Sequence, residues 1–283
     1  MTVDKTRVVQ GVTVPSFMYG TAWKEDRTEE LTALAMSNGF VAIDTANQRK
    51  HYYEAGVGAA VAKALAGGDV SRDDLFLQTK YTYQRGQDHR LPYDPKAGPA
   101  EQVRQSFASS LEHLGTSYID SYVLHGPSLC AGIADTDWQV WGAMETLQRD
   151  GQTRLIGVSN ISGEQLATLH AGAEVKPAFV QNRCYANTGW DRAVRSFCAD
   201  NGIAYQGFSL LTANDRELRR PIMDEIMART GRTRAQLVFR FSMQVGMLPL
   251  TGTTSAAHMA EDLKAFEFEL GDHDVRAIET IAG

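Results

Sequence analysis

Cysteine is scarce in this sequence, with three in 283 residues (Cys130, Cys184 and Cys198). None sits in a CxxC pair or a Cys/His cluster, so neither a zinc site nor a disulfide framework is indicated, and no metal is expected. An excess of positive charge is also missing. Lys and Arg number 28 against 34 Asp and Glu, a net charge of −6, which argues against nucleic acid or an anionic membrane as main partner. No apolar run approaches the ~18 residues that a membrane helix needs. The opening MTVDKTRVVQGVTV lacks the apolar core of a secretory signal. No stretch reads as a linker or as low-complexity sequence, so one domain spanning 1–283 is the simple reading. The remaining composition, 43% hydrophobic and 22% charged, is that of an ordinary globular protein. These features together point to a cytoplasmic, thiol-reduced chain in which Cys184 and Cys198 are half-buried thiols.

What is present is a rhythm. Residues 7–15 alternate around Gly11 and read as a small hairpin. Short β-type runs then follow at 17–21, 41–45, 75–80, 118–125, 154–159, 178–182, 202–208 and 247–251. Amphipathic segments separate them at 28–38, 55–66, 100–114, 138–150, 162–171 and 189–201, with 255–266 after the last run. The Val103, Phe107, Leu111 and Leu114 spacing has a clear helical period. Such alternation predicts a parallel sheet, and eight units close a (β/α)8 TIM barrel, which runs to about 250 residues. Two departures from regularity are expected. Residues 81–99 form a long loop punctuated by Pro and Gly, and consecutive helices at 216–230 and 232–244 put an extra helix before the last strand. Late extra helices in barrels often build a phosphate site.

Chemistry gathers at the strand ends. The stretch 41–58, VAIDTANQRKHYYEAGVG, runs an apolar strand into Asp44 and then into Tyr52 and Tyr53. Strands three and four deliver Lys80 and His125 in the same way, and later strands deliver Ser159-Asn160, Gln181-Asn182 and Phe208-Ser209. A strand-end acid can merely cap the next helix, and a lone histidine is more often structural. Convergence of an acid, a lysine, a histidine and a tyrosine on one barrel mouth instead makes a proton-transfer site reasonable. An ammonium near a phenol is expected to lower its pKa, while the carboxylate keeps the lysine charged and in place.

Read in order, the motifs GTAW (20–23), DTA (44–46), TK (79–80), YIDSYVLHGP (118–127), RLIGVSN (154–160), VQN (180–182), GFSLL (207–211) and GTTS…HMAED (252–262) resemble those of the aldo-keto reductases. The resemblance runs from about Gly20 to the C-terminus. It implies hydride transfer from a nicotinamide cofactor to an aldehyde or ketone, with tyrosine protonating the oxygen. Asp44 and Lys80 become the supporting pair, and His125 positions the carbonyl. The family usually places its tyrosine five residues after the Asp, where this chain has Arg49, so the loop is longer and Tyr52 and Tyr53 are both candidates. Tyr53 shares the apolar stripe of the next helix with Val57 and Val61, which leaves Tyr52 as the choice.

The same comparison assigns Thr21, Ser159, Asn160, Gln181, Phe208, Ser209 and Leu211 to the nicotinamide and pyrophosphate, and Thr253, Thr254, Ser255, His258, Glu261 and Asp262 to the adenosine end. NADPH is favoured over NADH, although the Lys and Arg typical of NADP-preferring members are replaced by Gly252 and His258. Trp23, His51 and Tyr81 are expected to line the substrate site, and the 81–99 loop to set selectivity. A cofactor-binding regulatory protein with little turnover and a barrel lyase or isomerase using Lys80 are the competing readings.

Overall fold

A computed structural model describes residues 4–68 and 70–283. Strands β1 (Thr6–Val9) and β2 (Val12–Pro15) form the expected antiparallel hairpin. Gln10 and Gly11 both take positive φ, 46° and 82°, the geometry of a tight two-residue hairpin turn. Eight parallel strands follow: β3 (Met18–Gly20), β4 (Ala42–Asp44), β5 (Phe76–Tyr81), β6 (Ile119–Leu124), β7 (Thr153–Ser159), β8 (Phe179–Arg183), β9 (Ala204–Phe208) and β10 (Leu248–Thr251). They close in the order β10-β3-β4-β5-β6-β7-β8-β9, so the sheet has no edge. The fold is a (β/α)8 TIM barrel.

Helices α1 (Thr28–Ser37), α2 (Glu54–Gly67), α3 (Pro99–Leu114), α4 (Asp135–Arg149), α5 (Gly163–Gly172) and α6 (Arg192–Asp200) connect successive barrel strands from β3 to β9. Between β9 and β10 lie two helices, α7 (Pro221–Thr230) and α8 (Arg234–Gln244), as the sequence predicts. Helices α9 (Ala256–Leu263) and α10 (Asp272–Glu279) complete the ring. No helix among the described residues is long and apolar enough to cross a membrane.

Strand alternation sorts the side chains. On β5, Gln78 and Lys80 point into the barrel, while Thr79 and Tyr81 point out toward α2 and α3. The main core therefore lies between the barrel and its helices, with Ile43, Leu77, Phe107 and Tyr122 in it. A second apolar cluster fills the lower barrel, where Val9 and Val14 of the hairpin pack with Met18, Ala42, Phe76, Phe179 and Leu248. The hairpin thus plugs the N-terminal end and leaves the C-terminal mouth open. Cys184 and Cys198 are fully buried rather than half-buried, and burial pushes both thiols up to about 12.

Candidate active site

Above the apolar floor the barrel interior turns polar. Asp44, at the end of β4, accepts from Lys80 Nζ at 2.6 Å, Gln78 Nε2 at 2.7 Å and Gln181 Nε2 at 3.0 Å, all on its Oδ1. Lys80 also donates to the Thr45 carbonyl at 2.7 Å. Gln206 exchanges hydrogen bonds with Gln78, and Ser121 donates to Gln78 Oε1 at 2.8 Å. This net fixes Asp44 and Lys80 where neither could relax into solvent. Lys80 is fully buried. Burial lowers its pKa, and the Asp44 carboxylate opposes that fall.

Tyr52 stands against this pair. Lys80 Nζ lies 5.3 Å from the centre of its ring, and the His125 ring packs edge-on at 5.9 Å. The phenol behaves differently from expectation. Burial raises its pKa well above the usual value, the Asp44 carboxylate adds to the rise, and only Arg183 opposes it. Desolvation and the carboxylate outweigh the Arg183 guanidinium, so Tyr52 holds its proton. His125 follows β6 directly and is depressed to about 3 by burial, with Lys80 and His51 adding to the fall. Its imidazole is neutral at physiological pH, and Nδ1 lies 2.7 Å from the Thr82 hydroxyl. Tyr53 faces another way. It precedes α2, carries the Arg49 guanidinium over its ring at 4.3 Å, and is absent from the large cavity.

That cavity, about 660 Å³, brings together most of the residues singled out in the sequence. Asp44, Tyr52, His125, Ser159, Asn160, Gln181, Phe208, Ser209 and Leu211 line it, as do Trp23, Thr253, His258, Glu261 and Asp262. Three lining residues without glycine's freedom take left-handed backbone: Trp23 (φ 62°), Asn160 (φ 51°) and Ser209 (φ 57°). Such strain collects where a site holds its backbone against ligand. Asn160 Nδ2 donates to the His125 carbonyl at 2.8 Å, and Gln181 Nε2 is taken by Asp44 and Gln206. Their side-chain oxygens are left able to accept from a carboxamide in the cavity, with Phe208 beside them to meet a flat ring. Residues and space therefore fit a nicotinamide dinucleotide.

Six sequence assignments fall outside the lining, among them Lys80, which sits behind Asp44 and reaches the site through it. Thr21 is buried, and its hydroxyl and N–H both bond to the Asp44 carbonyl. Tyr81 is buried, donates to Gln102 at 3.1 Å and packs on Tyr83 and Tyr93. The alternation that turns Lys80 inward turns Tyr81 outward. Thr254 also lies off the wall, and Ser255 spends its hydroxyl accepting from the His258 N–H at the start of α9. His51 does not reach the cavity either, but stacks on Trp23 at 4.0 Å. Nor does the 81–99 loop supply a residue to the large cavity; Arg90, Leu91 and Pro92 border a smaller one of about 320 Å³ that also touches Tyr52.

Sequence reasoning passed over Lys24, Thr233 and Ala235, which also line the large cavity, and Gln78, Thr82 and Gln206 behind it. Lys24 donates to the Gly252 carbonyl. Thr233 caps α8 with its side chain, which places the late helix pair against the far end of the cavity. The glutamines had a signal in their parity with Lys80 and Phe208 on buried strands. Near that far end, burial holds the Asp262 carboxyl up at about 6, and Thr251 donates to it at 2.8 Å.

Known proteins resemble this chain in sequence and in fold. Two Bacillus subtilis proteins, the uncharacterized oxidoreductase YtbE and a glyoxal reductase, are each 28% identical to it, over 98% of this chain and 92% of theirs. The crystal structure of a Brucella melitensis aldo/keto reductase superposes with a TM-score of 0.82 at 26% identity, covering 98% of both chains. The sequence model of the aldo/keto reductase family matches residues 16–282, and the chain belongs to that family.

Proposed function

We propose that this chain, as a single barrel domain, reduces an aldehyde or ketone to the alcohol, with NADPH favoured as reductant and Tyr52 as proton donor. One observation carries the reading: Asp44, Lys80, Tyr52 and His125 meet at one end of a cavity whose unpaired amide oxygens suit a carboxamide. A reduced nicotinamide held there would supply hydride to the carbonyl carbon. His125 hydrogen-bonds the carbonyl oxygen and holds it toward Tyr52. The neutral phenol gives its proton to that oxygen as negative charge grows on it. Lys80, held by Asp44, faces the phenolate that remains, and Tyr52 is reprotonated before the next cycle. Ser159, Asn160 and Gln181 would hold the carboxamide, Phe208 the ring, and Ser209 and Leu211 the pyrophosphate.

At the adenosine end Thr253, His258, Glu261 and Asp262 would take contacts, with Thr254 and Ser255 behind them and Lys24 as the nearby ammonium. The relative named a glyoxal reductase supports a small carbonyl compound as substrate, with Trp23 and His51 at its entry. Three free thiols, one of them exposed, suit a reducing compartment such as the cytoplasm. The test is a panel of aldehydes and ketones, read by loss of reduced-nicotinamide absorbance with NADPH and NADH in parallel. Turnover of several carbonyls, faster with NADPH, is expected. Cofactor binding without turnover of any carbonyl would overturn the catalytic reading.

A further inference from the structure

Resting on that reading of His125, one contact behind the imidazole sets what the ring can do. A neutral imidazole has one N–H and one bare nitrogen, and only the N–H can donate to a carbonyl oxygen. The ring is neutral here, since burial and Lys80 hold its pKa near 3. Its Nδ1 sits 2.7 Å from Thr82 Oγ1. Thr82 is buried at 5% exposure, and among the described residues His125 is the one hydrogen-bond partner of its hydroxyl. Two arrangements are open to this pair. Were Nδ1 to carry the proton, the hydroxyl would accept, and its own hydrogen would be buried without an acceptor, which is costly. With the hydroxyl donating, both groups are satisfied and the imidazole proton goes to Nε2.

We infer that Thr82 is a positioning residue, whose hydroxyl donates to His125 Nδ1 and so holds the ring in the Nε2–H form that a carbonyl oxygen in the cavity requires. The surroundings hold Thr82 in turn. Its carbonyl accepts from the Tyr93 hydroxyl at 2.8 Å and from Gln87 Nε2 at 3.4 Å. Arg85 donates to the Pro127 carbonyl at 2.5 Å, two residues beyond His125. The 81–99 loop therefore braces the contact from outside the cavity.

The test compares the wild-type protein with Thr82→Val, which keeps the shape and removes the hydroxyl, and Thr82→Ser, which restores it. Nitrogen-15 NMR of the histidine rings in the cofactor-free protein should show His125 with its proton on Nε2 and a hydrogen-bond-accepting Nδ1. Thr82→Val should shift the ring toward a tautomer mixture and lower kcat roughly tenfold, with cofactor affinity unchanged. Thr82→Ser should recover both. A wild-type ring protonated on Nδ1 overturns the inference, as does unchanged kcat in Thr82→Val. Because the NMR signal needs no turnover, a protein that reduces no carbonyl would sink the proposed reaction and leave the tautomer measurement standing.

Discussion

A phenol kept neutral by burial gives up its proton only when a better base arrives, and that condition singles out Tyr52. Its neighbour in sequence, one residue on, has the same functional group but stacks under Arg49 and faces the smaller cavity. Tyr52→Phe should therefore lower kcat by about 10²–10⁴, the contribution of a positioned general acid, with cofactor binding retained. Tyr53→Phe should leave turnover largely in place; stopped-flow kinetics and cofactor titration on both variants would separate them, and the reverse pattern would move the donor to Tyr53. His125 carries a second residue-scale prediction. Its folded pKa, about 3, lies below the ordinary value near 6.5. The unfolded chain then binds the extra proton first, so this group's stabilisation is complete above pH ~6.5 and is lost as pH falls toward 3. Urea titrations between pH 7 and 4 should show stability falling more steeply in the wild type than in His125→Gln. Over the same range the wild-type kcat/KM should show no histidine ionisation. Much of this site was legible in one dimension because strand ends announce themselves: an apolar run that stops on Asp44, Lys80 or His125 has a direction. Two departures were of parity. Thr21 and Tyr81 sit next to inward residues, and a period of two sends them outward.

At the scale of elements, the loop 81–99 changes meaning between sequence and structure. Its Pro and Gly punctuation marked it as a long loop, with Tyr81 expected to line the substrate site as part of its wall and the loop to set selectivity. In three dimensions Tyr81 stacks edge-on with Tyr83 at 5.3 Å and lies 5.7 Å from Tyr93, so the rings satisfy one another. Gln48 donates to the Gly86 carbonyl at 2.6 Å, and Gln87 donates to the Asn47 carbonyl at 2.8 Å. The loop thus ties the segment carrying Tyr52 to the strand carrying Lys80 and, through Arg85, to the turn after His125. Nothing in a linear pattern distinguishes a wall from a brace, because both are aromatic and both follow a strand. The expected effect of shortening residues 84–96 changes accordingly. It should depress kcat for every substrate by a similar factor rather than reorder them, since the residues that would touch substrate stay and their mutual alignment is lost. A substrate panel on the shortened variant decides between the two, and a reordered preference with undiminished kcat for some substrates would restore the pocket-wall view.

The molecule as a whole divides its labour between the two ends of one barrel. The eight-strand rhythm made the closed sheet readable, because each β-α unit must bury its strand on both faces. The role of the hairpin was not readable, since four-residue strands around Gln10-Gly11 carry no sign of what they cover. In the structure Val9 and Val14 close the lower cluster, and Arg7 donates to the carbonyls of Gly246 and Met247 just before β10. The plug and the catalytic groups are separated by the apolar floor and the glutamine net, so damage at one end should be felt at the other only through global unfolding. Val14 is fully buried, and Val14→Asp would strand an uncompensated charge there at about 3–5 kcal/mol. For a chain of this size that predicts a Tm lower by roughly 10 °C. Well below the new Tm, kcat and cofactor affinity should match the wild type. Calorimetry beside kinetics at low temperature makes the comparison. A loss of kcat in protein shown to be folded would mean that the plug shapes the mouth as well as the floor.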